Sequence, residues 1–185
     1  MKKLLTLLII MIIVPLWADS AEIVDRIVAV VGTEIITLSD LKKQSSSGKK
    51  EPLTTLIREK LFESEIERLQ ITVNDEDMAQ AIREILFRNH LTPEQFKKEL
   101  EKEGQTFDQY KESLKVEIRK MKFLGQVIVP RIKISEDEIA RKAGPKPSEE
   151  DRMRARQEIV QSRLNPELEA YLDEVREKTY IEIKE

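Results

Sequence analysis

The 185-residue sequence has no cysteine, one histidine (His90) and one tryptophan (Trp17). One His and no Cys leave no ordinary zinc cluster, and a chain without Cys suits an oxidising compartment and a reducing one alike. Glycine is scarce at five residues. None of them forms the Gly-x-x-x-x-Gly-Lys-Ser/Thr loop that cradles the phosphates of ATP, and there is no Gly-x-Ser-x-Gly nucleophile elbow. Positive charge is not in excess. Discounting Lys2, Lys3 and Asp19 leaves 30 basic and 34 acidic residues after Ala21, a net charge of −4, so the strong cationic footprint of a nucleic-acid binder is missing. No apolar run is long enough for a stable membrane anchor: Leu4 to Trp17 is 14 residues, against about 20 for a spanning helix. Acidic pairs are frequent, but in a chain that is 36% charged they belong on solvated faces and single out no acid/base dyad. Asn74 to Asp77 lacks the Gly and the distal Glu of a calcium loop and reads as a helix start. His90 closes a helix, where it is placed to meet terminal carbonyls. No cofactor and no metal are expected, and an enzyme reading has no constellation to support it.

What is present begins with a secretory signal over residues 1–21. Lys2 and Lys3 supply its positive end, Leu4 to Val14 its apolar run, and Pro15 to Ala21 a small-residue exit with cleavage after Ala18 or Ala21. Trp17 lies inside it, so a processed product should show no indole absorbance. No Cys lies near the boundary, which closes the lipid-anchored route.

Next, Ile23, Ile27, Val28 and Val30 lead into Gly32-Thr33-Glu34 and the apolar pattern resumes at Ile35 to Leu38, which predicts a β-hairpin with Ser39-Asp40 capping a following helix. Ser45 to Gly48 predicts a mobile loop. Helical spacing then covers Leu53, Leu56, Ile57, Leu61, Ile66 and Leu69. Asn74 caps a helix carrying Met78, Ile82, Ile85 and Leu86, and Thr92-Pro93 starts another with Phe96 and Leu100, stopped at Gly104. Thr106 opens the longest helix. Its main stripe is Phe107, Tyr110, Leu114, Ile118, Met121 and Leu124, and a second stripe of Val116, Phe123 and Val127 predicts a helix packed centrally between neighbours. Pro130 ends it, and Ser135 to Glu138 has capping-box spacing for a helix through about Ala143. Gly144 to Pro147 is a linker. Ser148 caps a charged helix, Asn165-Pro166 reads as a fresh cap and first turn, and Thr179 to Lys184 alternates as a strand. A lone terminal strand needs a partner, so the two ends of the chain are expected to meet in one small sheet.

Residues 23 to 41 closely resemble the N-terminal segment of SurA-type periplasmic chaperones, with Gly32-Thr33 where that family usually has an Asn-containing turn. Ile134 to Ile139 resembles the family's lead-in to a parvulin prolyl-isomerase domain, and Arg154 to Lys184, notably Tyr180 to Ile183, its C-terminal return. The helical part is similar, by analogy, to the chaperone region of trigger factor. The resemblance implies a mainly α fold: a multi-helix chaperone core with a small β-sheet formed by the N-terminal hairpin and the C-terminal strand. Residues 22–143 would be the N-terminal chaperone region, 144–147 the linker, and 148–185 the helices and strand completing the same domain. The parvulin segment and its histidines are absent between these parts.

The expected function is an ATP-independent periplasmic holdase that binds unfolded secreted or outer-membrane polypeptides through an apolar groove. Met78, Ile82, Phe87, Phe107, Tyr110, Met121 and Phe123 are its candidate lining, because Met adapts to varied partners and aromatics add contact area. Phe87 and Phe123 lead, being off their helices' main stripes; the alternative for each is ordinary core. Other functional readings are a prolyl-isomerase-related accessory protein, and a non-catalytic adaptor for one fixed partner or a homodimer that exchanges its terminal strand.

Overall fold

A computed structural model describes residues 25–45 and 53–184; the signal-like segment, Ile23 and residues 46–48 of the Ser-rich stretch lie outside them. The chain opens with the expected hairpin. β1 (Ile27–Val31) and β2 (Glu34–Thr37) pair antiparallel, with a bulge between Ile27 and Ala29. Gly32 takes a left-handed φ of 60° at the first central position of the two-residue turn, a type II′ requirement that a side chain would strain. The cap of α1 (Leu38–Ser45) sits two residues before the expected Ser39. Thr37 Oγ1 accepts from the Asp40 N–H (3.3 Å), and the Asp40 carboxylate accepts from the Thr37 N–H (2.9 Å). Asp40 therefore closes a capping box.

The two ends of the chain meet. β3 (Ile181–Ile183) pairs antiparallel with β1, giving the strand order β2-β1-β3 within one chain. The Gly32 N–H donates to Tyr180 O (2.8 Å) and the Lys184 N–H to Val28 O (2.9 Å). Alternation puts Ala29, Val31 and Ile36 on the inner face, where they are buried with Leu56, Ile57, Leu61 and Ile66 of α2 (Leu53–Arg68).

The longest predicted helix, α5 (Phe107–Phe123), is not central along its length. Its one buried residue is Phe123, in the last turn, and Val116 of the same stripe is half exposed. Beyond Phe123 the chain continues as a π-turn over Leu124–Ile128 and a 3-10 turn over Val129–Arg131. An i→i+5 turn stacks residues five apart, and it brings Phe123 and Ile128, both fully buried, into one core. The centre is this turn, α2 and the second half of α7 (Glu149–Lys178).

A continuous α7 is a second departure. Pro166 lies inside the helix and starts no new one. An interior proline costs ~3 kcal/mol, offset here because the helix packs at both ends. Ala155 and Ile159 bury against Ile139 of α6 (Glu136–Ala143), while Tyr171 and Leu172 enter the main core. Ser135 caps α6 through the Glu138 N–H (3.2 Å); the Glu138 carboxylate pairs with Arg163 instead of closing a box. Gly144 to Pro147 joins α6 directly to α7.

A polar seam crosses the main core. Tyr171 Oη donates to Glu65 Oε2 (2.6 Å), and Arg68 grips the same carboxylate through Nε (2.8 Å) and Nη2 (2.7 Å). The Arg131 guanidinium lies 5.1 Å from the Tyr171 ring centroid and is held by Glu167 (2.8 Å) and Glu174 (2.5 Å). Such a fully partnered carboxylate can be buried without the penalty of an orphaned charge.

Candidate functional site

Between α2 and the π-turn the chain builds a three-helix lobe from α3 (Asp75–Arg88), α4 (Pro93–Lys102) and α5. Each helix opens with a reciprocal capping box: Asn74 with Asp77, Thr92 with Gln95, and Thr106 with Gln109. The stops are equally defined. Gln70 after α2, His90 after α3 and Gly104 after α4 all take left-handed φ values of 53°, 54° and 74°. Each is followed by an N–H that reaches back five residues, Ile71 to Ile66 O, Leu91 to Leu86 O and Gln105 to Leu100 O, which is the Schellman arrangement. His90 thus acts through its backbone, donating to Phe87 O (3.3 Å).

Burial in the lobe is uneven. Phe96 and Leu100 of α4 are buried, and Phe96 packs edge-on against Tyr110 (5.0 Å) and Phe107 (6.4 Å) of α5. Lys97 and Lys111 each place Nζ 5.3 Å from the Phe107 ring centroid. Burial also pushes the Tyr110 phenol pKa up. On α3, by contrast, no residue is fully buried.

A cleft of about 520 Å³ runs between α3 and α5. Ala81, Ile85, Leu114 and Ile118 form its half-buried apolar floor, and Met121 stands at one end, 67% exposed. Asp77, Glu84, Arg88, Glu117 and Lys122 make the charged rim. These charges are paired: Lys122 Nζ bridges to Asp77 Oδ2 (2.6 Å), Arg88 pairs with Glu84, and Glu117 lies 3.7 Å from Lys120. The Lys122 hydrogen bond holds the Asp77 carboxyl below the usual carboxylate range. Arg119 Nε donates to Ile71 O (3.0 Å), which fixes α5 to the α2–α3 connection.

The structure divides the seven candidate lining residues. Met121 lines the cleft. Phe87, 79% exposed, does not line the cleft and by helical spacing lies more than a quarter-turn round α3 from its floor. Met78 and Ile82 are half buried on α3, on the side of Ile85 turned away from the cleft, and do not line it. Phe107 and Tyr110 are engaged with Phe96 and do not reach the cleft lining. Phe123 is a correction. It is 0% exposed and sits edge-on to Phe62 (5.0 Å) and Tyr171 (5.7 Å) in the main core. It is indeed off the main stripe of α5, but that stripe faces the thin lobe and the short second stripe enters the body. The cleft residues absent from the candidate set, Ala81, Ile85, Leu114 and Ile118, carry the period of a core face. Their only distinguishing signal was the charge crowded beside them at Glu84, Arg88, Glu117 and Lys122.

Among the described residues, no group of three or more His, Cys, Asp and Glu side chains is placed to hold a metal ion. No helix among them is long and apolar enough to cross a membrane.

Residues 49–126, which take in α2 of the main core as well as the three-helix lobe, match the family model of the SurA N-terminal domain. Chaperone SurA of Bordetella pertussis is 32% identical over 139 residues, covering 66% of this chain and 27% of its own length. Chaperone SurA of Methylococcus capsulatus is 29% identical over 140 residues, 66% of this chain and 31% of its own. This chain therefore spans roughly 27% to 31% of the curated relatives it matches. A chain from the structures of PEB4 and Cj1289, described as two structurally related SurA-like chaperones of Campylobacter jejuni, superposes with a TM-score of 0.67 at 19% identity. It covers 86% of this chain and 99% of that one. Residues 49–126 are thus similar to the SurA N-terminal domain, and the chain shares its fold with that SurA-like chaperone structure.

Proposed function

We propose that this protein is an ATP-independent periplasmic chaperone, a holdase that shields apolar segments of unfolded secreted and outer-membrane polypeptides. The observation that carries the reading is the α3–α5 surface. An apolar cleft with an internally paired charged rim ends on Met121, a large side chain left in solvent, and α3 exposes Phe87 outside the cleft as well. A contiguous apolar surface rimmed by charge marks an interaction site, and thioether and aromatic groups suit partners of varied shape. Sequestering two or three client side chains yields roughly 1.5 to 3 kcal/mol each. Ordering costs ~0.5 to 1.5 kcal/mol per side chain plus lost rigid-body freedom. Binding near the micromolar range, about −8 kcal/mol, lets a client leave without fuel. The work asked of the protein is binding alone, with no reactive group and no nucleotide.

The test is light scattering from a denatured outer-membrane protein diluted into buffer without nucleotide. The wild type should suppress aggregation, and a Phe87→Ser, Met121→Ser double variant should need severalfold more protein for the same effect while its melting temperature stays put. Full protection by the double variant would remove this surface from the mechanism. No protection by the wild type would remove the holdase reading itself.

A further inference from the structure

The three-stranded sheet has two edges, and they are not alike. On β2 the outward N–H of Thr37 is already taken by the Asp40 carboxylate, so the start of α1 caps one end of that edge and leaves Ile35 as the residue of β2 whose ladder groups face out. On β3 the antiparallel ladder uses Tyr180 O, both groups of Glu182, and Lys184 N against β1. By the alternation of such ladders, the N–H and C=O of Ile181 and Ile183 point away from the sheet. Ile183 belongs to the same face as the buried Ala29 and Ile36, yet it is 58% exposed. The edge therefore offers unused ladder groups and an uncovered apolar side chain on an otherwise buried face, a combination that folded proteins ordinarily blunt.

We propose that β3 is a self-pairing surface: a second copy of this chain adds its own β3 antiparallel, centred on Ile183, joining two three-stranded sheets across a two-fold axis. Charge selects both the occupant and the register. Outward groups sit only on odd-numbered residues, which leaves centres at 181, 182 or 183. Centring on Glu182 sets two carboxylates directly opposite, which is destabilising. Centring on Ile181 faces Tyr180 with Glu182 but leaves Ile183 uncovered. Centring on Ile183 stacks Ile183 on its own symmetry mate and faces Glu182 with Lys184 twice, once on each side of the axis, as an isologous interface requires. Tyr180 Oη donates to Glu182 Oε2 (3.1 Å), which leaves Oε1 of that carboxylate for Lys184. The contact differs from an exchanged terminal strand, since each β3 stays on its own β1. Pairing of so short an edge falls well below the ~1,600 Å² of a standard interface, so the dimer is weak and concentration-dependent.

Sedimentation velocity of the full chain, from tens of micromolar into the millimolar range, tests this. The wild type should show a reversible monomer–dimer equilibrium. Ile183→Pro removes an N–H that does not face β1 and is tolerated on an edge strand; it should leave the far-UV spectrum and melting temperature intact and abolish the dimer. Lys184→Glu should weaken association about tenfold or more, and adding Glu182→Lys to it should restore association, because the double variant rebuilds the opposed pair with signs reversed. A wild type monomeric throughout, a dimer that survives Ile183→Pro, or a charge swap that fails to restore what Lys184→Glu lost would each overturn the proposal. So would a monomer whose protection of an unfolded client is lost in Ile183→Pro, since the edge would then belong to a client strand. Loss of aggregation suppression in the Phe87→Ser, Met121→Ser variant with the dimer intact keeps the two readings separable.

Discussion

Phe123 and Met121 lie two residues apart at the end of α5, one sealed in the core and the other 67% exposed, and truncating each in turn separates body from lobe. Phe123→Ala removes a ring that is fully buried and set edge-on to both Phe62 and Tyr171. Such a deletion costs ~3 to 5 kcal/mol, transfer and cavity together. Because the π-turn packs Ile128 into the same core, the neighbours have little freedom to collapse, which places the cost toward the upper end. For a chain of this size each kcal/mol lowers the melting temperature by about 2 to 4 °C, so the fall should be on the order of 10 °C or more. Met121→Ser should change stability by no more than about 0.5 kcal/mol and show its effect in client protection alone. Urea unfolding with a shared m-value, run beside the scattering assay, measures both. A Phe123→Ala loss below about 1 kcal/mol, or a Met121→Ser loss comparable to it, would refute the division of α5 into a core end and a binding face.

Tyr171→Phe leaves Glu65 with Arg68 alone and should cost ~1.5 to 3 kcal/mol, the range for a hydrogen bond to a charged group, read by chemical denaturation. The Arg68 hydrogen bond holds the Glu65 carboxyl below its ordinary value of 4.5. A carboxyl lowered in the folded state contributes stability above its unfolded pKa and loses it as pH falls through the folded one. Stability should therefore decline below about pH 4.5, with a shallower decline in Glu65→Gln. At Gln70 and His90, both exposed and left-handed, replacement by Gly should stabilise by ~0.5 to 1 kcal/mol each, visible as a rise in melting temperature. Pro166→Ala restores a hydrogen-bonding N–H inside α7 and should stabilise by about 1 to 3 kcal/mol; a loss of stability would mean that α7 needs the proline to reach both of its packing partners.

Local signals were legible in the chain. Asn74, Thr92, Thr106 and Ser148 cap helices where their side chains predict it, Gly104 stops α4, and the alternation at residues 180–184 finds its partner in β1. What was not legible depends on which neighbour an apolar stripe meets. Phe107 to Leu124 and the Val116, Phe123, Val127 set are both sound helical faces, and periodicity does not say which one a body will cover. Pro166 misled for a related reason: its local preference for a first turn is outweighed by Ala155 and Ile159 packing on one side and Tyr171 and Leu172 on the other. Gln70 and His90 carry no glycine signal, yet they occupy the same left-handed stop as Gly104, because the bonds to Ile66 O and Leu86 O outweigh a strain of ~1 to 2 kcal/mol.

The lobe's use of local interactions explains how apolar surface can stay available without unfolding the helices that bear it. A helix usually draws most of its stability from burying one face, and α3 has no fully buried residue to do so. What holds it is reciprocal capping at Asn74 and Asp77, acidic residues in its first turn, a Schellman stop at His90, and ion pairs from Arg83 to Glu76 and Arg88 to Glu84. The cap alone contributes ~1 kcal/mol and the surface pairs a few tenths each. Asp77 also links this local scheme to α5, since the same Oδ2 that accepts the Asn74 N–H (3.0 Å) receives Lys122 (2.6 Å). With order secured by ends and rims, the floor formed by Ala81, Ile85, Leu114 and Ile118 need not close on itself. Removing the caps should therefore melt the lobe before the body: Asn74→Ala with Thr106→Ala should raise amide exchange across α3 and α5 while the α2 and α7 amides keep their protection, and uniform loss of protection would show that burial, not capping, holds the lobe together.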